Sequence, residues 1–157
     1  MILSQEELRN LILDYLSQNK RMSLATCNDN IPWASTVMYA YDNNLNIYFL
    51  SEIKTRKVQN ILSNPKVAAT INEITGGIGK VTGIQLEGEC KMVERKGALK
   101  AYGIFLKRYF WARDYIPSVK QMFSKAIKNR LFKITPKKIY YLDDERFGPE
   151  GREELVL

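Results

Sequence analysis

Hydrophobic positions recur along the chain with two different periods, and the switches between them mark its elements. Leu8, Leu11, Ile12, Tyr15 and Leu16 follow the i, i+3, i+4 spacing of one helix face. Ahead of them, Ser4-Gln5-Glu6-Glu7 has the form of a capping box, and Leu3 and Leu8 are spaced for a hydrophobic staple. The spacing predicts an amphipathic helix over residues 4–19. Met22 to Cys27 and Trp33 to Tyr41 are rich in strand formers and are separated by Asn28-Asp29-Asn30, while Asp42-Asn43-Asn44 leads into Leu45 to Leu50. Three antiparallel strands in a meander follow from this pattern.

A short helix is expected from about Thr55, burying Val58, Ile61 and Leu62. It stops before Asn64-Pro65, because proline disfavours the helical conformation in the residue before it. Val67 to Ile71 reads as a fourth strand, and Gly76, Gly77 and Gly79 as a flexible connection. In the next segment Ile84, Leu86, Gly88, Cys90 and Met92 alternate with Gln85, Glu87, Glu89 and Lys91, the period-two pattern of a strand with one buried face.

Residues 95–127 read as two helices interrupted near Trp111 to Pro117. The first carries Leu99, Tyr102, Phe105, Leu106 and Tyr109, and the second carries Val119, Met122, Phe123 and Ile127. Leu131 to Thr135 and Lys138 to Leu142 suggest two last strands around Pro136, followed by an acidic tail over 143–157. The expected fold class is mainly β, a six- to seven-stranded antiparallel barrel with helical insertions, forming one domain over residues 1–157.

Composition narrows the chemistry. The chain has no histidine, which excludes imidazole metal ligands, a histidine general base and a proximal-histidine haem site. Cys27 and Cys90 lie far apart inside apolar stretches, a poor basis for a zinc site, so no metal centre is expected. No signal-peptide pattern and no run of eighteen apolar residues occurs, so a soluble cytoplasmic protein without a membrane partner is expected. The formal charge of +7 is uneven. Lys and Arg occupy fourteen positions from Lys91 to Lys138 against Glu94 and Asp114, whereas six acids face two arginines from Asp143 to Glu154. The basic segment is compatible with a solvated helical face, an anionic ligand, an acidic partner or nucleic acid. Its aromatics follow helical core spacing, which disfavours nucleic acid.

One constellation can carry chemistry. Between Leu50 and Val58 lie Ser51, Lys54, Thr55, Arg56 and Lys57, at the expected junction of a strand and a helix start. First-turn backbone N–H groups and the helix dipole favour an anion, arginine offers a bidentate contact, and lysine adds a point charge. The alternative is that Thr55 merely caps the helix and the cations are solvated. Three cations at the positive end of a dipole nevertheless call for a counter-charge.

With Tyr48-Phe49-Leu50-Ser51, Thr55-Arg56-Lys57, Asn64-Pro65 and Val67-Ala68-Ala69 in this order, the chain resembles the FMN-binding split-barrel superfamily of pyridoxamine 5'-phosphate oxidase over roughly residues 8–142. The resemblance implies that Arg56 and Lys57 hold the FMN phosphate, that Thr55 assists, and that Leu50 and Ser51 line the cofactor. It also implies that the backbone of Ser35, Thr36, Val37 and Met38 runs along the flavin ring and that Gln85 contributes from the long fifth strand. Relatives are typically homodimers with FMN between the subunits, so Tyr109, Phe110, Trp111 and Arg113 either cover the partner's cofactor or pack within their own subunit.

The chain departs from the oxidase at three places. Ser35 and Thr36 stand where the oxidase usually has an arginine, and Gly83 stands where it usually has a glutamine. Lys138-Ile139-Tyr140-Tyr141-Leu142 offers no counterpart to the C-terminal tryptophan and arginine that bind its substrate. The expectation is therefore an FMN-dependent oxidoreductase other than the vitamin B6 oxidase, acting on an unknown small molecule. A sensor or carrier of FMN, or of another phosphate-bearing ligand, is the alternative, and nucleic-acid binding through residues 91–138 is a more remote one.

Overall fold

The computed structural model describes residues 3–73, 80–149 and 151–157. The glycines at 76, 77 and 79 lie outside the described residues.

The chain opens with α1 (Gln5–Gln18), where Ser4 and Glu7 form the expected capping box. Three strands follow, β1 (Arg21–Asn28), β2 (Ile31–Tyr41) and β3 (Ile47–Glu52). β1 and β2 are joined through Asp29 and Asn30, both at positive φ (51° and 60°), as a two-residue hairpin loop requires. Then come α2 (Arg56–Ser63), β4 (Lys66–Glu73), β5 (Thr82–Met92), α3 (Arg95–Arg108), β6 (Asn129–Asp143), the short α4 (Asp144–Phe147) and β7 (Arg152–Leu155).

The strand order is β3-β2-β1-β4-β5-β6-β7, and β3 also pairs with β6. That pairing closes six antiparallel strands into a barrel and leaves β7 outside it, on β6. Phe49, Phe132, Leu24, Ile71 and Ile84 fill the interior, and α1 adds Leu8, Ile12, Tyr15 and Leu16 to the same cluster. A second apolar cluster lies on the outside, where Ala98, Ala101 and Phe105 of α3 cover Ala40, Tyr48 and Leu131.

The closure is incomplete. β2 pairs with β3 only through Tyr39↔Phe49, Ala40↔Tyr48 and Tyr41↔Ile47, whereas β3 stays paired with β6 as far as Glu52. From Ile31 to Met38, β2 is paired with β1 on one side and, among the described residues, has no strand on the other.

Several details differ from the sequence expectation. The two strands expected around Pro136 are one continuous β6, because Pro136, which has no N–H to donate, sits where the register shifts between Glu87 and Gly88. Gly88 is required there, since a Cβ would lie 2.4 Å from the Thr135 carbonyl oxygen. The acidic tail, to which no strand is assigned from the sequence, supplies β7.

The second of the two helices expected within 95–127 does not form. Its segment holds only a 3-10 turn at Gln121–Phe123, after another at Phe110–Asp114. Ser124 ends the turn in an extended conformation, and its Oγ accepts from the Ala126 N–H. Arg130 also takes the carbonyls of Ser124 and Ile127, so these groups serve local bonds instead of a helix. Leu62, Leu99 and Met92 are exposed, not buried. In α2 the inward position that the pattern gave to Leu62 belongs to Asn60.

Asp42 organises the β2–β3 turn, in which Leu45 adopts φ 64°. Its carboxylate accepts from the N–H groups of Asn44 and Asn46, at 2.9 and 3.0 Å, and from the Tyr48 hydroxyl at 3.0 Å, with Lys100 at 3.4 Å. Burial by itself would raise its pKa, but the hydrogen bonds from Asn46 and Tyr48 and the Lys100 charge outweigh it and hold the carboxyl below the ordinary aspartate value. Such a group stabilises the fold fully above its unfolded pKa and loses that contribution as pH falls through its folded value. Asp42→Ala should cost roughly 2–4 kcal/mol at neutral pH by urea unfolding, through the lost bonds and the buried Tyr48 hydroxyl left without its acceptor. The gap between variant and wild type should narrow below pH 4.

Candidate functional site

Apart from Gln85, the cofactor-binding residues expected from the sequence fall on the two sides of the barrel opening. Ser35, Thr36, Val37 and Met38 lie on the stretch of β2 that is paired with β1 on one side and, among the described residues, has no strand on the other. Leu50 and Ser51 lie on β3 just beyond its last pair with β2, and Thr55, Arg56 and Lys57 begin α2. Val37 is buried in the barrel core and Ser35 shares its side of the strand, so on the outer face only Thr36 and Met38 present side chains. The backbone edge is common to all four.

Thr55 occupies the N-cap of α2 but does not cap it with its side chain. Its hydroxyl donates to the Glu52 carbonyl at 2.8 Å and lies 3.2 Å from Ser51 Oγ. Among the described residues the first-turn N–H groups of α2 therefore have no side-chain cap, and the first turn contains no acid.

Arg56 and Lys57 add positive charge to this end, and among the described residues no carboxylate lies within ion-pair distance of either. Partial burial lowers the Lys57 pKa with no compensating anion. The Ser35 hydroxyl is enclosed and has no hydrogen-bond partner among the described residues. Free N–H groups, hydroxyls and uncompensated cations form a donor set suited to a phosphate group.

Two contacts that the sequence reading missed hold α2 in place. The Arg56 guanidinium lies 4.3 Å from the centre of the Trp33 ring, and Asn60 Nδ2 donates to Thr26 Oγ1 at 3.0 Å. Thr26 and Trp33 are cross-strand partners, and Arg56 and Asn60 are one helical turn apart. A pair on the sheet thus grips a pair on the helix. The only trace of this in the sequence is a polar Asn60 at an apolar position of the helix period.

Gln85 is not in contact with the rest. Thr36, Ser23, Thr70 and Gln85 are successive cross-strand partners, which puts Gln85 three strands from β2, roughly 14 Å away. It shares the outer face of the sheet with Thr36. The exposed part of that face carries the small side chains of Ser23, Ala25, Ala34, Thr36 and Ala68, bordered by Arg21, Met38, Lys66 and Glu87.

In the basic segment, Tyr109 is buried and donates to the Tyr39 carbonyl at 2.7 Å, which makes it a packing residue of its own subunit. Phe110 and Trp111 are exposed, and Arg113 lies over the Phe110 ring. No helix among the described residues is long and apolar enough to cross a membrane.

An antiparallel barrel closed by β3 and β6 but opened between β2 and α2 places the protein among the split barrels. Residues 8–143 match the family model described as pyridoxamine 5'-phosphate oxidase, and the chain belongs to that family. Among curated relatives, the UPF0306 protein YhbP of Salmonella paratyphi A is 29% identical over 118 residues, which span 73% of this chain and 79% of that one. Among solved structures, a heme binding protein from Mycobacterium smegmatis superposes with a TM-score of 0.75 at 16% identity, over 98% of this chain and 58% of that one. An FAD-binding protein from Mesorhizobium loti gives 0.62 at 17% identity, over 81% and 88%. At these identities the two structures share the fold with this chain.

Proposed function

We propose that the protein binds FMN at the barrel opening and uses it as an oxidoreductase, working as a cytoplasmic homodimer. The observation that carries this reading is the pair of uncompensated cations, Arg56 and Lys57, on an uncapped helix start beside a free strand edge. A phosphate dianion would take the first-turn N–H groups, the Arg56 guanidinium and the Lys57 ammonium, with the Ser51 hydroxyl turning from Thr55 Oγ1 to donate to it while Thr55 keeps its bond to the Glu52 carbonyl. The flavin ring would lie along the backbone of Ser35 to Met38, near Leu50. When bound, FMN supplies hydride and electron transfer. The chain itself would hold and orient it: none of the residues gathered at the opening is a histidine, a cysteine or one of a pair of carboxylates, so no acid or base is assigned.

Membership of the family supports a flavin, and the FAD-binding neighbour shows the fold in use with one. The lack of acid–base groups keeps a second reading in view, a carrier or sensor that binds FMN without turnover. The haem of the mycobacterial neighbour is not transferred to this chain, whose lack of histidine removes the usual iron ligand.

The exposed sheet face of small side chains supports the dimer, since it lets another surface approach closely and would let a partner subunit bring its Gln85 toward the opening.

The double substitution Arg56→Ala, Lys57→Ala should weaken FMN binding by about 3 kcal/mol, measured by quenching of flavin fluorescence; unchanged affinity would move the phosphate elsewhere. Affinity in the wild type should also fall as pH rises through the lowered pKa of Lys57, because the anion needs the ammonium form. With Lys57→Arg the fall should move to higher pH, and the same profile in both proteins would remove Lys57 from the site. Ala34→Arg, placed in the middle of the small-residue face, should yield monomers in analytical ultracentrifugation and reduced flavin affinity. A variant that remains dimeric would place the interface on another face.

A further inference from the structure

The Arg56–Trp33 contact has a consequence beyond holding α2. Arg56 is a cation at the positive end of a helix, and among the described residues it has no carboxylate partner. Its neighbour is the face of an indole at 4.3 Å. A carboxylate in that place would neutralise the guanidinium and occupy two of its donors. A π face steadies the charge and leaves every in-plane N–H free.

Trp33 is fixed in turn. Its strand is paired with β1, and its cross-strand partner Thr26 is tied to Asn60, one turn from Arg56. Trp33 is 41% exposed and lies on the stretch of β2 that is not paired with β3. Ring and guanidinium are both held, so the donor edge of Arg56 is aimed before a ligand arrives.

We propose that Trp33 is a positioning and specificity residue for this site, holding Arg56 so that ligands ending in a phosphate dianion are selected over the same ligands without phosphate. This rests on the reading of the opening as a phosphate site, and in its flavin form on FMN being the ligand. Trp33 acts through Arg56 and takes no part in chemistry. A preorganised guanidinium saves the cost of ordering a long side chain on binding, and the saving is realised only by a ligand that uses it.

The test compares FMN with riboflavin, which differ only in the phosphate. Dissociation constants are measured by flavin fluorescence for the wild type, Trp33→Leu and Trp33→Phe. Trp33→Leu should weaken FMN about three- to ten-fold and leave riboflavin within about two-fold, and Trp33→Phe should restore part of the preference. A purely structural role would weaken both flavins alike, and that result, or an unchanged FMN-to-riboflavin ratio, overturns the proposal.

Should Trp33→Leu fail to fold, inorganic phosphate titrated into the folded wild type decides the question. A saturable change in tryptophan emission, absent in Trp33→Phe and in Arg56→Ala, supports the proposal, and its absence in the wild type overturns it. If the wild type binds neither flavin, the FMN reading fails by itself and the phosphate titration still decides the role of Trp33.

Discussion

The pairing of β2 with β3 stops after three residue pairs, while β3 continues along β6 to Glu52. Most of what is distinctive in this molecule depends on that early divergence. A fully paired β2 would give a sealed barrel with no free backbone edge. As it is, Ile31 to Met38 have no strand partner on one side among the described residues, and α2 begins near Trp33 of that stretch. An open edge normally invites unwanted strand pairing. Here Arg56 lies over Trp33 beside it, and the α2 N-terminus brings charge to it.

The divergence is held at both ends. At one end, Asp42 gathers Asn44, Asn46, Tyr48 and Lys100 into the β2–β3 turn, and Tyr109 bonds the Tyr39 carbonyl from α3, so the paired part of the hairpin is firmly tied. At the other end, Asn60 and Arg56 attach α2 to Thr26 and Trp33. Between these anchors the chain has little freedom to close the gap. The site is thus a property of the scaffold, built at the end of one strand and the start of one helix.

Two regions of the barrel's outer face are treated differently. α3 and the 3-10 turns after it cover Ala40, Tyr48 and Leu131, whereas the outer face of β1, β2 and β4 stays open and carries Ser23, Ala25, Ala34, Thr36 and Ala68. Residues of such size let another surface come close. In the basic segment, Phe105 and Tyr109 serve packing, while Phe110 and Trp111 remain at the surface.

Local patterns in the sequence account for much of the molecule. The α1 capping box, the Asp29-Asn30 turn, the alternation of β5 and the strand-to-helix junction at Thr55-Arg56-Lys57 were legible because each depends on residues within a few positions of one another. Motif order over the barrel strands also pointed to the family. The continuity of β6 through Pro136, the loss of a second helix after Pro117 and the pairing of the tail as β7 were not legible. Each was decided by distant partners: Gly88 opposite the proline, Arg130 drawing off the carbonyls of Ser124 and Ile127, and β6 offering an edge to Arg152–Leu155. The same holds at the site. The sequence supplied the cations and hydroxyls. Only the tertiary structure decided that they face a free strand edge, that Trp33 lies beneath Arg56, and that Gln85 is three strands away, because register and strand divergence are set by contacts between segments far apart in the chain.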